Sequence, residues 1–479
     1  MRICLITPPF YTDNPNEALA MPLGVAYLGA VLERDGFEVT LIDGAASGSA
    51  SRIADNKYIV GANPQEIALS AVSAKPDLIG ISCPFTTRYR LFQECIKAIR
   101  EMLPNVPLIA GGIHPTLFSE RVLLNDHCDV VILGEGEETL LTLSRRFADG
   151  NGIKSEGLDG IAWKHNGQVN IIPRKTYIED LDSLPQPARH LLPMDTYLSR
   201  SGGRWASQHA SVLPVLTSRS CPGRCSFCSI HAITGPKWRA HSAERVVDEI
   251  ATIKDKYNPS MIAFEDDRLT WDRQRLMTIC QLIIDRNIRT RWYTPNGVHI
   301  ADLDEELLKM MKMSGCRSLN LAVESGDPTI LHEVIGKKAT SEKALEVSDA
   351  CKRVGIRTNG YFVIGMPGES DVTIQRSLDL CLKMKLDGLG IFIATPFPGT
   401  RMFEQCAKSG YITSEDFTEE FLESGDPDLL HRPLFETESM SRERLLWWKQ
   451  EFNRQFLKGL YRRRPAVRVR AFARRILHG

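Results

Sequence analysis

The sequence predicts an α/β protein: a doubly wound, Rossmann-like parallel sheet, then a partial (βα)6 TIM-like barrel, then a helical C-terminal region. Three observations predict it. Short β-branched and apolar runs alternate with helix-period segments twice over, from Arg2 to about residue 150 and again from Val212 to about residue 405. The runs end on glycine, proline or acidic residues, where strands of parallel sheets hand over to loops. A proline-rich stretch, Leu181 to Pro193, separates the two arrays. The expected organisation is 1–150, a linker with a small hairpin over 151–205, the barrel over 206–405, and a helical region with a basic tail over 406–479.

In the first array, Arg2 to Thr7 is a strand broken by Pro8-Pro9, and Gly24 to Arg34 is helical and stops at Gly36. Phe37 to Ile42, Leu78 to Ser82, Leu108 to Ala110 and Val130 to Leu133 are further strands, with Leu91 to Met102 helical between them. Ligands of such sheets sit beyond the carboxyl ends of the strands. Those ends carry Ser82 to Thr87, Gly111 to Thr116 and Gly134 to Glu138, and the glycines let backbone approach a ligand closely. Gly134-Glu135-Gly136-Glu137 also reads simply as a helix start, with acids on its first turn.

In the connector, Gly160 to Trp163, Asn166-Gly167 and Val169 to Ile172 read as a hairpin with an Asn-Gly turn. The second array begins with Val212 to Thr217 and the helix Ala243 to Tyr257. Met261 to Glu265, Arg291 to Thr294, Ser318 to Val323, Arg357 to Ile364 and Gly390 to Ala394 complete six strands. Active sites of barrels lie at the carboxyl ends of their strands, and the polar and glycine signals fall there.

Bulk composition excludes several classes. Lys plus Arg and Asp plus Glu each number 59, so no global charge points to nucleic acid. No apolar run approaches the roughly 20 residues of a membrane span. The N-terminus lacks the charged-then-apolar layout of a signal peptide, so a cytoplasmic protein is expected. Nine of the 12 cysteines are scattered through apolar segments and read as reduced core residues, not a disulfide frame.

The other three form Cys221-Pro222-Gly223-Arg224-Cys225-Ser226-Phe227-Cys228, a C-x3-C-x2-C loop just after the strand Val212 to Leu216. A structural zinc usually takes four protein ligands, and a 4Fe–4S cube usually takes four cysteines. Three with no fourth nearby suit a cube with one iron left open; the bland alternative is three ordinary buried cysteines. With Phe227 before the last cysteine, this loop resembles that of the radical S-adenosylmethionine (SAM) enzymes. The resemblance implies a 4Fe–4S cluster on Cys221, Cys225 and Cys228, with SAM on the open iron. Electron transfer, from a donor such as flavodoxin or ferredoxin, then cleaves SAM to a 5'-deoxyadenosyl radical.

The strand ends extend the resemblance. Phe227, Glu265 and Asp266, Glu324-Ser325-Gly326, and Gly365 in Gly360 to Glu369 match SAM-side positions, and Thr395 to Thr400 resembles the T-P-x-P-G-T of the cobalamin-dependent branch. The first array is similar to that branch's cobalamin-binding domain. The matching pieces hold Pro22, Leu23, Ser82, Thr86, Gly111, Gly112, His114, Thr116, Gly134, Glu135 and Gly136. No D-x-H-x-x-G occurs, so His114 is not read as a cobalt ligand, and the corrinoid is expected base-off. A flavodoxin-like domain that lost its ligand is the competing reading. His231 and Tyr293 are the catalytic candidates; a loop residue and a core tyrosine are the alternatives. Arg219 and Arg224 flank the cysteines and could offset the thiolates. Asn296 and His299 are substrate-side candidates.

After Ser439 an amphipathic helix to Leu457 leads into Lys458 to Leu477, a run of basic residues without an acid. It could rest on anionic lipid, or fold against the acidic 415–426 stretch, or stay solvated. The resemblance thus implies an enzyme that methylates an unactivated carbon of a small or lipid-like substrate, using 4Fe–4S, SAM and cobalamin. A cyclase of the anaerobic magnesium-protoporphyrin ester type and a non-catalytic cobalamin or cluster sensor are the alternatives.

Overall fold

The computed structural model describes residues 1–54, 57–125, 127–152, 157–201, 210–413 and 432–466. In the first sheet the strands run in the order Gln168–Ile172, Ile161–His165, Val130–Ile132, Leu108–Gly111, Leu78–Ser82, Arg2–Thr7, Glu38–Asp43. The last five named are parallel. Their chain order across the sheet is 2-1-3-4-5, so the direction of winding reverses between Arg2–Thr7 and Leu78–Ser82. A crevice opens at such a reversal. Helices cover both faces, so central strands bury consecutive residues: Ile3 to Thr7 are all buried.

The connector hairpin is not free. Asn166 and Gly167 take φ of 50° and 79°, as the expected two-residue turn requires. Its first strand pairs antiparallel with Val130–Ile132, extending the first sheet and covering its open edge. Helix Pro64–Ala74, absent from the expected elements, starts on a capping box: Asn63 accepts from the Glu66 amide while Glu66 accepts from the Asn63 amide. A small antiparallel sheet of Phe10–Thr12, Lys57–Val60 and Ala50–Ala54 sits beside it.

The second array has six parallel strands in sequential order: Val212–Val215, Met261–Phe264, Trp292–His299, Cys316–Glu324, Arg357–Ile364 and Gly388–Ile393. The first and sixth do not pair, so the barrel is partial. Its helices begin on side-chain caps, Ser242, Asp272, Asp304 and Thr340 each accepting an amide of the first turn. Helix Arg442–Arg463 packs against the sixth strand and the helix Asp371–Met384 through Leu445, Trp448, Phe452, Phe456 and Leu460. It runs past the expected end at Leu457. Arg463 bonds the Leu386 carbonyl at 3.0 Å and Arg464 pairs with Asp387 at 2.6 Å. These two basic residues therefore hold the helix to the barrel. The basic residues beyond 466 and the acidic 415–426 stretch lie outside the described residues. No helix among the described residues is long and apolar enough to cross a membrane.

Candidate functional site

The crevice at the reversal is a cavity of about 230 Å³. Its first-domain wall is Leu5, Gly80 to Ser82, Ile109 to Gly112 and Gly134 to Glu137, with Val25 and Leu28 from helix Leu23–Arg34. Its other wall comes from the barrel: Leu216, Arg219, Ile233, Thr234 and Asp267. Glycine is required at two lining positions. Gly112 sits at φ +100°, with the Cys83 carbonyl 2.6 Å from where a Cβ would be. Gly134 sits at φ +73°, with the Ile233 carbonyl 2.7 Å away.

Ser82, Gly111, Gly112, Gly134, Glu135 and Gly136 therefore line the cavity as the motifs suggest, and Pro22 and Leu23 start the helix that borders it. Thr116 acts through the loop, its Oγ1 accepting the Gly134 amide at 2.9 Å. His114 does not reach the cavity, which corrects its place among the cobalamin contacts. It is fully buried, with its ring 4.1 Å from Tyr89 and 4.7 Å from Phe118. Thr86 is turned away with it, 3.3 Å from His114 Nδ1. Burial pushes the imidazole down to about 3, so it is neutral.

The acids of the Gly134 to Glu137 stretch have a structural use. Arg239 grips Glu135 with two bonds, 3.0 and 2.8 Å, and Arg219 reaches Glu135 at 3.3 Å and Glu137 at 2.5 Å. All four side chains are buried. Burial opposes charge on Glu137, but Arg219 overrides it and holds the acid below its usual range. This clamp joins the first domain to the segment leading into the cysteine loop. Arg219 is thus spent on carboxylates and is not available to offset thiolates.

In the loop itself, Cys221 and Cys225 are half-buried and Cys228 is exposed, whereas the other nine cysteines are buried. The loop is pinned at Ser226, whose amide donates to Ile335 O at 2.8 Å and whose carbonyl accepts the Met402 amide at 2.9 Å. No three His, Cys, Asp or Glu side chains among the described residues converge on one ion. His231 braces the loop, its Nε2–H donating to the Cys221 carbonyl at 2.7 Å. Two cations that sequence reasoning missed lie beside the cysteines. Arg268, held by Asp302 at 3.0 and 2.8 Å, stands against Gly223. Lys337, bonded to Glu324 at 2.9 Å and the Ala322 carbonyl at 2.6 Å, stands by Cys225.

Next to the loop, a cavity of about 480 Å³ opens over the barrel strands. Phe227, Asn296, Glu324, Tyr361, Phe392 and Thr395 are among its walls. Glu324 sits at φ +65°, where the pairing register shifts, which turns the residue out of the strand. Ser325 instead braces the turn, its Oγ 3.2 Å from Ser377 Oγ. Asp266 corrects another expectation. Its carboxylate is buried and taken by Thr217 and Ser218 hydroxyls at 2.7 and 2.5 Å, so it fastens two segments and is not among the walls of the cavity. Glu265 carries its carbonyl to Asn296 Nδ2 at 2.8 Å. Tyr293 is half-buried and its hydroxyl has no partner among the described residues, so it stays a candidate on the substrate side. Asn320, Asn359 and Tyr361 form a polar chain across the barrel to Pro295 O, invisible in sequence because each sits in a strand that reads as core.

Burial raises three acids here to about 7: Glu265 and Asp267, with Asp266 adding to the effect on each, and Glu369. Glu369 accepts the Gly365 and Met366 amides at 2.6 and 3.0 Å and thereby folds the turn that carries Gly365. Folded, Glu265 and Glu369 hold a proton up to about pH 7; unfolded, they lose it near 4.5. On these acids the folded state binds the extra protons, so their contribution to stability falls as pH rises from 4.5 to 7, while His114 and His299, both lowered to about 3 by burial, contribute in the opposite sense up to about 6.5. The midpoint of the parent minus that of Glu369→Gln, from melts of the apoproteins between pH 4.5 and 7, should therefore decline as pH rises. A difference that stays flat or climbs with pH would refute this.

Family models match both arrays: "B12 binding domain" over residues 17–144 and "Radical SAM superfamily" over 215–381. An uncharacterised methyltransferase of Pyrococcus horikoshii is 31% identical over 84% of this chain and 83% of its own length. The cytidylyl-2-hydroxyethylphosphonate methyltransferase of Streptomyces wedmorensis is 29% identical over 87% and 83%. The anaerobic magnesium-protoporphyrin IX monomethyl ester cyclase of Rubrivivax gelatinosus is 24% identical over 85% and 70%. Among solved structures, the radical SAM methyltransferase TsrM of Kitasatospora setae, with cobalamin and a [4Fe-4S] cluster bound, superposes with a TM-score of 0.68. It is 18% identical over 85% of this chain and 75% of its own, a likeness of fold.

Proposed function

Because this chain belongs to the cobalamin-binding radical SAM enzymes, we propose that it methylates an unactivated carbon of a small molecule. The observation that carries this reading is the shared wall. The cavity of the first sheet is closed by Arg219, Ile233 and Thr234, which bracket the cysteine loop. A corrinoid held by the glycine loops at Gly111 and Gly134 would therefore adjoin the segment whose cysteines would hold the cluster.

The donor sets fit the three groups. Cys221, Cys225 and Cys228 supply three thiolates on one pinned loop. Phe227, Asn296 and Glu324 wall the adjoining cavity, where SAM would sit. The apolar crevice with its tight glycines would hold the corrinoid. When bound, the cluster and SAM supply a 5'-deoxyadenosyl radical for hydrogen abstraction, and the corrinoid supplies the methyl group. The chain's own residues position these groups. Arg219 and Arg239 fix the distance between the two sites, Lys337 orients Glu324, and Asn296 walls the cavity beside the loop. The assigned units are residues 1–150 with the added hairpin, the barrel over 206–405, and the helix that follows.

Anaerobic reconstitution with iron, sulfide and hydroxocobalamin tests the reading. The desalted protein should carry a cluster shoulder and stoichiometric corrinoid bands, and should form 5'-deoxyadenosine from SAM on reduction. With methyl-labelled SAM, label should pass to the corrinoid and then to substrate. A cluster without retained corrinoid sinks methylation through cobalt. Corrinoid retention and deoxyadenosine without label transfer would favour the cyclase chemistry of the Rubrivivax relative. Failure to form deoxyadenosine would leave a binding protein.

A further inference from the structure

We propose that an exposed cationic face beside the cysteine loop, formed by Arg224, Lys338 and Arg401, is the docking surface for an acidic one-electron carrier protein. This rests on the cluster reading above and adds the partner's entry point. Charge in the whole chain is balanced, and the arginines around the two cavities are consumed in pairs: Arg189 by Glu249, Arg219 by Glu137, Arg239 by Glu135, Arg268 by Asp302. The three cations of this face are not. Arg224 and Lys338 make no ion pair or side-chain hydrogen bond among the described residues. Arg401 gives one bond, 2.5 Å, to the Arg224 carbonyl. All three are exposed.

They are also contiguous. A Cβ on Gly336 would lie 2.9 Å from Arg401 Nη2 and 3.3 Å from the Arg224 carbonyl, so Gly336 packs between them with Lys338 two residues on. A concavity beside Gly336 is lined by His332, Lys337, Lys338 and Lys343; Lys337 and Lys343 are paired with Glu324 and Glu346, which leaves Lys338 as its unpaired lysine. Glu404, one turn along from Arg401, is an acid on the same helix, and the three cations outnumber it.

Position selects the partner. Arg224 stands between Cys221 and Cys225, three residues after the first and one before the second, so a protein seated on this face lies against the cluster loop. Each SAM cleavage needs one electron that no side chain here can supply. The carrier is oxidised by one electron, the cluster is reduced by one, and no bond changes in that step. Electron-transfer encounters use small, weak interfaces steered by opposite charge, and unpaired cations at the rim provide that steering.

The test compares two reductants on the reconstituted full-length protein by anaerobic stopped flow, following bleaching of the cluster absorbance. One is a reduced flavodoxin, which has an acidic surface; the other is photoreduced deazaflavin, a small molecule with none. Lys338→Glu with Arg401→Gln, which keeps a donor for the Arg224 carbonyl, should slow flavodoxin-driven bleaching severalfold at low ionic strength and weaken its salt dependence. Deazaflavin-driven bleaching should stay within about twofold of the parent, the scale of change expected when no charge steering is involved. Equal flavodoxin rates in parent and variant would overturn the proposal, as would a parallel loss with both reductants. A parent protein that neither reductant bleaches would instead overturn the cluster reading.

Discussion

Replacing Arg219 with leucine should lower the stability of the protein by about 3–5 kcal/mol, because it strands a buried carboxylate. Arg219 and Glu137 are each 6% exposed, so water screens little of the loss. Glu135 keeps Arg239 in the variant, but Glu137 loses the cation that bonds it among the described residues, and protonating or hydrating it requires opening the contact between the domains. Thermal melts followed by circular dichroism should show a fall of several degrees, and the corrinoid cavity should bind less tightly because Arg219 is part of its wall. The double variant Arg219→Leu with Glu137→Leu should recover a large part of the loss, since a well-packed apolar pair can replace a buried ion pair at little cost. If the single change leaves the midpoint unmoved, the clamp does not hold the domains together. If the double is worse than the single by the full value of Glu137, the pair is not coupled.

The clamp also shows what a linear reading can and cannot reach. Gly134 to Glu137 was visible as a glycine-bearing loop at a strand end, and it does line the crevice. Its acids read equally well as a charged first turn of a helix, because the partners, Arg219 and Arg239, lie more than 80 residues away. The same limit applies to Asp266. Its place at the end of a barrel strand suggested a cofactor contact, but the nearby hydroxyls of Thr217 and Ser218 compete for it and win. His114 sits in a glycine-rich loop that does border the cavity, yet its own side chain turns inward between Tyr89 and Phe118. Periodicity locates a strand end; it does not say which way the next side chain points.

The elements themselves were easier to read where local chemistry decides them. Helix Ala243–Tyr257 begins on Ser242 and stops at Asn258, and all six barrel strands fall where apolar runs meet turn residues. The hairpin's turn was legible from Asn166-Gly167, but its membership of the first sheet was not, because edge pairing is a tertiary choice. Helix Pro64–Ala74 carried its signal in full, Asn63-Pro64-Gln65-Glu66, and is a start that capping rules identify.

Removing any one of Cys221, Cys225 or Cys228 should abolish the cluster absorbance after reconstitution and cut 5'-deoxyadenosine formation by roughly three orders of magnitude or more. The fold should survive. These three side chains are half-buried or exposed, and substitutions away from packed cores usually shift stability by only about ±0.5 kcal/mol. Corrinoid retention should persist too, since none of the three lines the first-domain cavity. Cys316 supplies the contrast: it is fully buried on a barrel strand, and burial holds its thiol well above the usual range, so it is inert packing. Cys316→Ala should cost about 1 kcal/mol of stability through a small cavity and leave the cluster intact. Opposite responses from the two kinds of cysteine separate a ligand set from a core that happens to contain sulfur. Deoxyadenosine formation that persists in Cys225→Ala would show that the chemistry does not depend on this loop.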